Sequence, residues 1–179
     1  MILASGSPRR RAILEQLGIA FEVVVPDVEE LTEGDPRELV IENARRKAAA
    51  VEGELVLAAD TVVAVDGALL GKPADAREAR SHLGRLSGRQ HEVWSGIAVG
   101  DRTAATVTVV TFRDLTEMLE WYLGTGEWEG KAKAYAIQGR GAALVERIDG
   151  DYSNVVGLPI HALLELMPDL LQGIPRQTD

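Results

Sequence analysis

The sequence predicts an α/β protein built on a mixed sheet, and three observations predict it. Short β-rich apolar runs alternate with segments of helical periodicity, which brings strands and helices into one fold. Tight turns at Asp66-Gly67 and Gly100-Asp101-Arg102 join strands directly to their successors, so hairpins interrupt the alternation and the sheet is not purely parallel. Apolar residues make up 46% of 179 positions, enough for one substantial domain or two small lobes sharing a core.

Each element has a local reason. Met1–Ala4 is a short apolar run that meets a Ser/Gly turn. Ser7 suits a helix N-cap and Pro8 the first helical position, so a helix is expected from Pro8 to Leu17, closed by Gly18. Ile19–Val25 reads as a strand. Asp35-Pro36 repeats the cap-and-proline opening for a helix ending near Gly53. Leu55–Val65 is an apolar strand that turns at Asp66-Gly67 and returns over Ala68–Leu70. Another helix is expected from Asp75 to Leu86, then strands Val93–Val99 and Thr103–Phe112, then a helix Thr116–Leu123. Beyond the Gly/Trp/Lys-rich stretch 124–133, Ala134–Gln138 and Ala142–Ile148 read as strands. Pro159 opens a last helix reaching about Leu171, and Gly173–Asp179 is expected to fray.

Composition excludes several classes. With no cysteine there is no disulfide, thiolate metal site or cysteine nucleophile, which fits a reducing, cytoplasmic setting. No apolar run approaches the roughly 20 residues of a membrane span, and no secretory signal pattern opens the chain. A net charge of −9 argues against a nucleic-acid polymer as partner. It leaves room for a small basic pocket.

Some residues are misplaced for structure alone. Arg9, Arg10 and Arg11 fill a first helical turn, where they oppose the helix dipole. A polyphosphate held between the Ser5-Gly6-Ser7 turn and the guanidinium groups gives them a purpose; a solvated basic helix start is the plain alternative. Asp60 stands inside Leu57-Ala58-Ala59-Asp60-Thr61-Val62-Val63, where a carboxylate needs a partner, a hydrogen bond or a metal. Thr61, next along, faces the other side of a regular strand. Lys47 falls on an apolar stripe with Val40, Ala44 and Val51, and Asn43 shares its face. Either it snorkels at the core's edge or it reaches a shared pocket. Lys72, in Gly71-Lys72-Pro73, offers a point charge for phosphate, although no P-loop spacing is present. Asp27, Glu29 and Glu30 follow a predicted strand, and one of them with Asp60 could bind Mg²⁺ through oxygen. Gln138 carries an amide able to read a base edge.

These segments together resemble the Maf family of nucleoside triphosphate pyrophosphatases. The resemblance rests on Ser5-Gly6-Ser7-Pro8-Arg9-Arg10, Glu42-Asn43-Ala44 with Lys47-Ala48, and Ala58-Ala59-Asp60-Thr61-Val62-Val63. Gly71-Lys72-Pro73, Ala134-Tyr135-Ala136-Ile137-Gln138-Gly139 and Tyr152-Ser153-Asn154-Val155-Val156-Gly157-Leu158-Pro159 extend it, in order, over nearly the whole chain. It implies a two-lobed fold similar to the inosine-triphosphate pyrophosphatases, with a site in the cleft. It also implies hydrolysis of a nucleoside triphosphate to monophosphate and pyrophosphate with a divalent metal, Mg²⁺ or Mn²⁺. By resemblance Asp60 is the proton acceptor. Ser5, Arg9, Arg10, Lys47 and Lys72 surround the phosphates, and Glu30 is a metal-side acid. Arg10, Thr61 and Gln138 mark substrate choice. The Ile-Gln-Gly form resembles the branch acting on dTTP and UTP, with N7-methyl-GTP and a non-catalytic regulator of cell division as alternatives. Similar proteins are commonly homodimers. Two departures stand out: Lys133 where the family usually has glycine, and Trp94 where a smaller residue is commoner.

Overall fold

A computed structural model describes residues 1–131 and 134–172. Its seven-stranded sheet runs β2-β1-β3-β5-β6-β7, with β4 paired to β3 off that path. The strands are β1 (Ile2–Ala4), β2 (Glu22–Val24), β3 (Val56–Val65), β4 (Ala68–Leu70), β5 (Gln90–Val99), β6 (Arg102–Phe112) and β7 (Val145–Asp149). β1 is parallel to both β2 and β3, while the pairs from β3 onward are antiparallel, so the sheet is mixed as the hairpins predict. The helices are α1 (Pro8–Gln16), α2 (Pro36–Ala49), α3 (Ala76–Leu86), α4 (Leu119–Gly124), α5 (Tyr152–Val156) and α6 (Ile160–Leu166).

Strand alternation sorts β3 between two cores. Leu57, Ala59, Val63 and Val65 join a large cluster with residues of α1, α3, α4, α5 and α6. Val56 and Ala58 turn the other way, into a small cluster with Ala4 and Val51. That second face is the one α2 covers, through its contacts with β3 and β5. Asp60 pairs with Gly96 and belongs to the α2 face; Thr61 pairs with Ser95 and belongs to the opposite one. The helix lies very close: a Cβ on Gly96 would collide with the backbone carbonyl of Val40 in α2.

Several expected elements take other forms. The strand expected over Ile19–Val25 is only Glu22–Val24, because α1 closes in a Schellman motif that uses the first residues. Ile19 N–H donates to Leu14 O and Gly18 N–H to Glu15 O, with Gly18 at φ 69°. Ser7 stands at the N-cap of α1, but its side chain makes no capping bond; the Ser5 hydroxyl accepts the Ser7 N–H instead. Ala134–Gln138 is not a strand. Ala134 adopts φ 58°, which breaks an extended run, and β7 takes the free edge of β6. A 3-10 turn over Gly139–Leu144 replaces the first half of the strand expected at Ala142–Ile148. The helix expected over Thr116–Leu123 begins only at Leu119, after a turn in which Asp114 accepts from Thr116. The last helix stops at Leu166, and α5 precedes it across Gly157, whose φ is 124°. Lys133 and residues 173–179 fall outside the described residues.

One topological break positions the site. β1 leaves β3 at Ala58, and β4 joins the strand only at Val63. Residues 59–62 therefore have no strand on that edge among the described residues. The carboxyl ends of the two parallel strands β1 and β2 open onto this break, where α/β sheets place their ligand crevices. The β1/β2 half and the β4 half stand on either side of it.

The close approach at Gly96 gives a direct test. Gly96→Ala should destabilise the protein by about 3 kcal/mol, since a methyl pressed against backbone cannot relax by rotation. Urea denaturation measures this; wild-type stability in the variant would show that α2 does not rest on the sheet there.

Candidate active site

The break in β3's edge is a cavity of about 790 Å³. Ser5, Arg9, Arg10, Glu30, Lys47, Asp60, Thr61 and Lys72, drawn from five separate stretches of chain, all line it. The fold thus brings these eight candidates together, while Arg11, which pairs with Glu15 on the surface, and Asp27, Glu29 and Gln138 do not line the cavity. Gln138 is exposed at the start of the 3-10 turn.

On the α2 face, Asp60 is 6% exposed and Lys47 7%. Lys47 Nζ lies 2.7 Å from Asp60 Oδ1 and 2.8 Å from Glu30 Oε1, so one ammonium bridges both carboxylates. Asn43 Nδ2 donates to Asp60 Oδ2 at 3.0 Å. Asn43 also binds both backbone groups of Leu31, taking its N–H at 2.7 Å and donating to its carbonyl at 3.0 Å. The same amide therefore holds the carboxylate and pins the loop that carries Glu30. Burial acts to raise the Asp60 pKa. Lys47, by charge and hydrogen bond, then Asn43 and the more distant Arg10 outweigh it and hold the carboxyl below the ordinary aspartate value. Asp60 is therefore an anion at neutral pH.

On the other face, Arg10 is buried and spends its guanidinium on the protein. Nε donates to Gly157 O at 2.7 Å, Nη1 to Ser5 Oγ at 3.0 Å and Nη2 to Thr61 Oγ1 at 3.1 Å. Thr61 Oγ1 in turn lies 2.8 Å from Ser95 Oγ, which donates to Asn154 O. Asn154 Nδ2 continues the chain to Val93 O and Thr108 Oγ1. A polar track thus ties the loop after β1 to β3, β5 and α5, and it explains the motif around Asn154 and Gly157. The positive φ at Gly157 is a conformation that favours glycine, and it presents the carbonyl to Arg10.

The remaining cations differ. Arg9, Lys72 and Lys131 line the cavity, and none makes an ion pair among the described residues. The cavity is thus polarised, with two carboxylates around Lys47 and unpaired cations elsewhere on the wall. Sequence reasoning passed over Lys131, which sits in a stretch with no strand or helix signal. It noted Asn43 only as sharing a face with Lys47; its spacing four before that lysine was the available sign. Trp94, paired with Val62, donates to the Glu92 carboxylate and does not line the cavity.

The Maf-like protein family model matches residues 1–170. The chain belongs to the Maf-like family. Among its relatives, a dTTP/UTP pyrophosphatase of Symbiobacterium thermophilum is 52% identical over 178 residues, covering 93% of this chain and 92% of that protein. One from Thermus thermophilus is 49% identical, and one from Deinococcus radiodurans 47%, each covering 93% of this chain and more than nine-tenths of the relative. The family match spans residues 1–170, so every residue that lines the cavity lies within it.

The electrostatics predict a titration. In the wild type the Asp60 carboxyl should titrate below the ordinary aspartate value of about 3.9. Its contribution to stability is then complete above that value and lost as pH falls through the lower folded pKa. In Lys47→Met burial loses its strongest opponent, and the midpoint should rise above the ordinary value. Carbon-13 NMR of the carboxyl resonance checks both directions, and an unmoved midpoint would refute the assigned cause.

Proposed function

We propose that this Maf-like protein hydrolyses nucleoside triphosphates, dTTP and UTP foremost, to the monophosphate and pyrophosphate. The observation that carries this reading is the polarised cavity: unpaired cations suited to a polyphosphate share one crevice with a buried, ionised carboxylate. The preference for dTTP and UTP rests on the names of the relatives, since Gln138 lies outside the cavity lining. N7-methyl-GTP, suggested as an alternative by the family, gains no support from these relatives.

The chemistry follows from the charges. Water attacks the α-phosphorus, a new P–O bond forms, and the bond to the bridging oxygen breaks. Pyrophosphate leaves with that electron pair. Asp60 accepts a hydrogen bond from the attacking water and takes its proton as the new bond forms. Its lowered pKa makes it a weak base, so its larger service is to orient the water, with proton transfer late. Ser5, Arg9 and Lys72 hold the phosphates. Arg10 fixes the loop on which Ser5 and Arg9 sit, and positioning of this kind supplies much of the rate in phosphoryl transfer.

A divalent cation, Mg²⁺ or Mn²⁺, fits the donor set. Glu30 and Asp60 supply hard oxygens that already converge on one positive charge, that of Lys47. No group of three or more His, Cys, Asp or Glu side chains able to hold a metal occurs among the described residues. The two carboxylates would hold such an ion, with its remaining positions taken by phosphate and water, as is usual for Mg²⁺. When bound, it would neutralise charge on the triphosphate. No described helix is long and apolar enough to cross a membrane. A cytoplasmic location belongs to this reading, supported by the cysteine-free sequence.

Two outcomes are expected. Chromatography of a dTTP or UTP digest should show monophosphate and pyrophosphate; diphosphate and orthophosphate would overturn the reading. Asp60→Asn should keep the fold, because its amide oxygen can still accept from Lys47 while Asn43 keeps its own bonds to Leu31. Its turnover should fall by roughly 100-fold or more.

A further inference from the structure

Lys131 is a cavity residue that the sequence motifs do not single out as a site. It is fixed in place by its own stretch of chain. Beyond α4, successive turns run from Tyr122 O to Thr125 N–H, from Gly126 O to Glu129 N–H and from Trp128 O to Lys131 N–H. Trp128 Nε1 donates back to Leu123 O at 3.1 Å, and Glu127 accepts the N–H groups of Arg140 and Gly141. Gly130, at φ 65°, precedes Lys131 and lines the cavity beside it. The lysine is thus delivered by a braced coil of backbone.

Its charge has no partner among the described residues, and neither has that of Arg9. Burial, followed by the positive charge of Arg9, lowers the Lys131 pKa; only Glu127 opposes them. Two like charges on the lining of one partly buried cavity are costly unless an anion joins them. The charges of Asp60 and Glu30 act on Arg10, while those acting on Lys131 are Arg9 and Glu127. Glu30 and Asp60 both converge on Lys47, whereas Lys131 lines the same cavity without pairing with either.

We propose that Lys131 and Arg9 together hold the β- and γ-phosphates, the part of the substrate that departs as pyrophosphate. The proposal rests on the triphosphate reading, in which the α-phosphorus lies nearest Asp60. Lys131 then binds the leaving group, and the coil after α4 is a phosphate-binding wall.

The test measures binding of inorganic pyrophosphate and of UMP, in metal-free buffer, to the full chain and to Lys131→Gln and Lys131→Arg. Removing a charge-assisted contact should weaken pyrophosphate by about 10-fold or more in Lys131→Gln, leave UMP within about twofold, and be largely rescued in Lys131→Arg. Pyrophosphate bound equally well by Lys131→Gln would overturn the proposal. So would an equal loss of pyrophosphate and UMP, or no rescue by arginine, each of which marks a structural role. A wild type that binds pyrophosphate through Lys131 but turns over no nucleotide would keep this subsite and remove the hydrolysis reading. A wild type that does not bind pyrophosphate would remove the subsite itself.

Discussion

A carboxylate in the middle of an apolar strand must be neutralised or it will not stay folded as an anion, and much of this molecule is arranged around that need. Asp60 obtains its charge partner from Lys47 and a neutral donor from Asn43, both on α2. The helix can deliver them only by lying nearly on the sheet, which is why β5 has no side chain at position 96 beneath it. Asn43 then extends the effect to the loop after β2, since Leu31 has both backbone groups tied to the same amide. A helix, a strand and a loop are located by one buried charge.

The opposite face obeys a different rule. There the buried cation, Arg10, meets no carboxylate within hydrogen-bond reach among the described residues and is satisfied by two hydroxyls and a carbonyl. Neutral acceptors leave its charge uncancelled, so the loop carrying Ser5 and Arg9 remains positive while being held rigidly. Asp60 and Lys47 are mutually compensated; Arg10 contributes field. The cavity owes its polarity to that asymmetry.

Much of this was legible in the sequence because misfits are conspicuous. Asp60 among alanines and valines, Lys47 on an apolar stripe and Arg9 and Arg10 at a helix start each violate a local rule, and each lines the cavity. The mixed sheet was readable from hairpin turns. Elements that depend on remote partners were not. Ala134–Gln138 has the composition of a strand, but β7 occupies the edge it would need, and Tyr135 instead reaches His91 at 2.7 Å. Gln138 lies at the start of the 3-10 turn outside the cavity lining, a position that the chemistry of its amide could not reveal. Lys131 carried no periodic signal because its position is set by turns and by the Glu127 and Trp128 side chains. Asn43 looked like one more polar residue on a helix, since its value lies in Leu31, twelve positions earlier and outside any regular element.

Asp60 and Thr61 are neighbours in the chain, yet one answers to α2 and the other to α5. Their separation depends only on the parity of β3. Adding or removing a single residue anywhere between Val56 and Asp60 would exchange the two faces, setting a carboxylate against the hydroxyls and a threonine against the lysine. No substitution elsewhere could compensate, because both sets of partners are anchored to separate helices. The count of residues in this strand is therefore as much a part of the site as their identities. Length variation in such a chain is confined to places like the Asp66-Gly67 and Gly100-Asp101 turns, where an extra residue lies beyond the paired register.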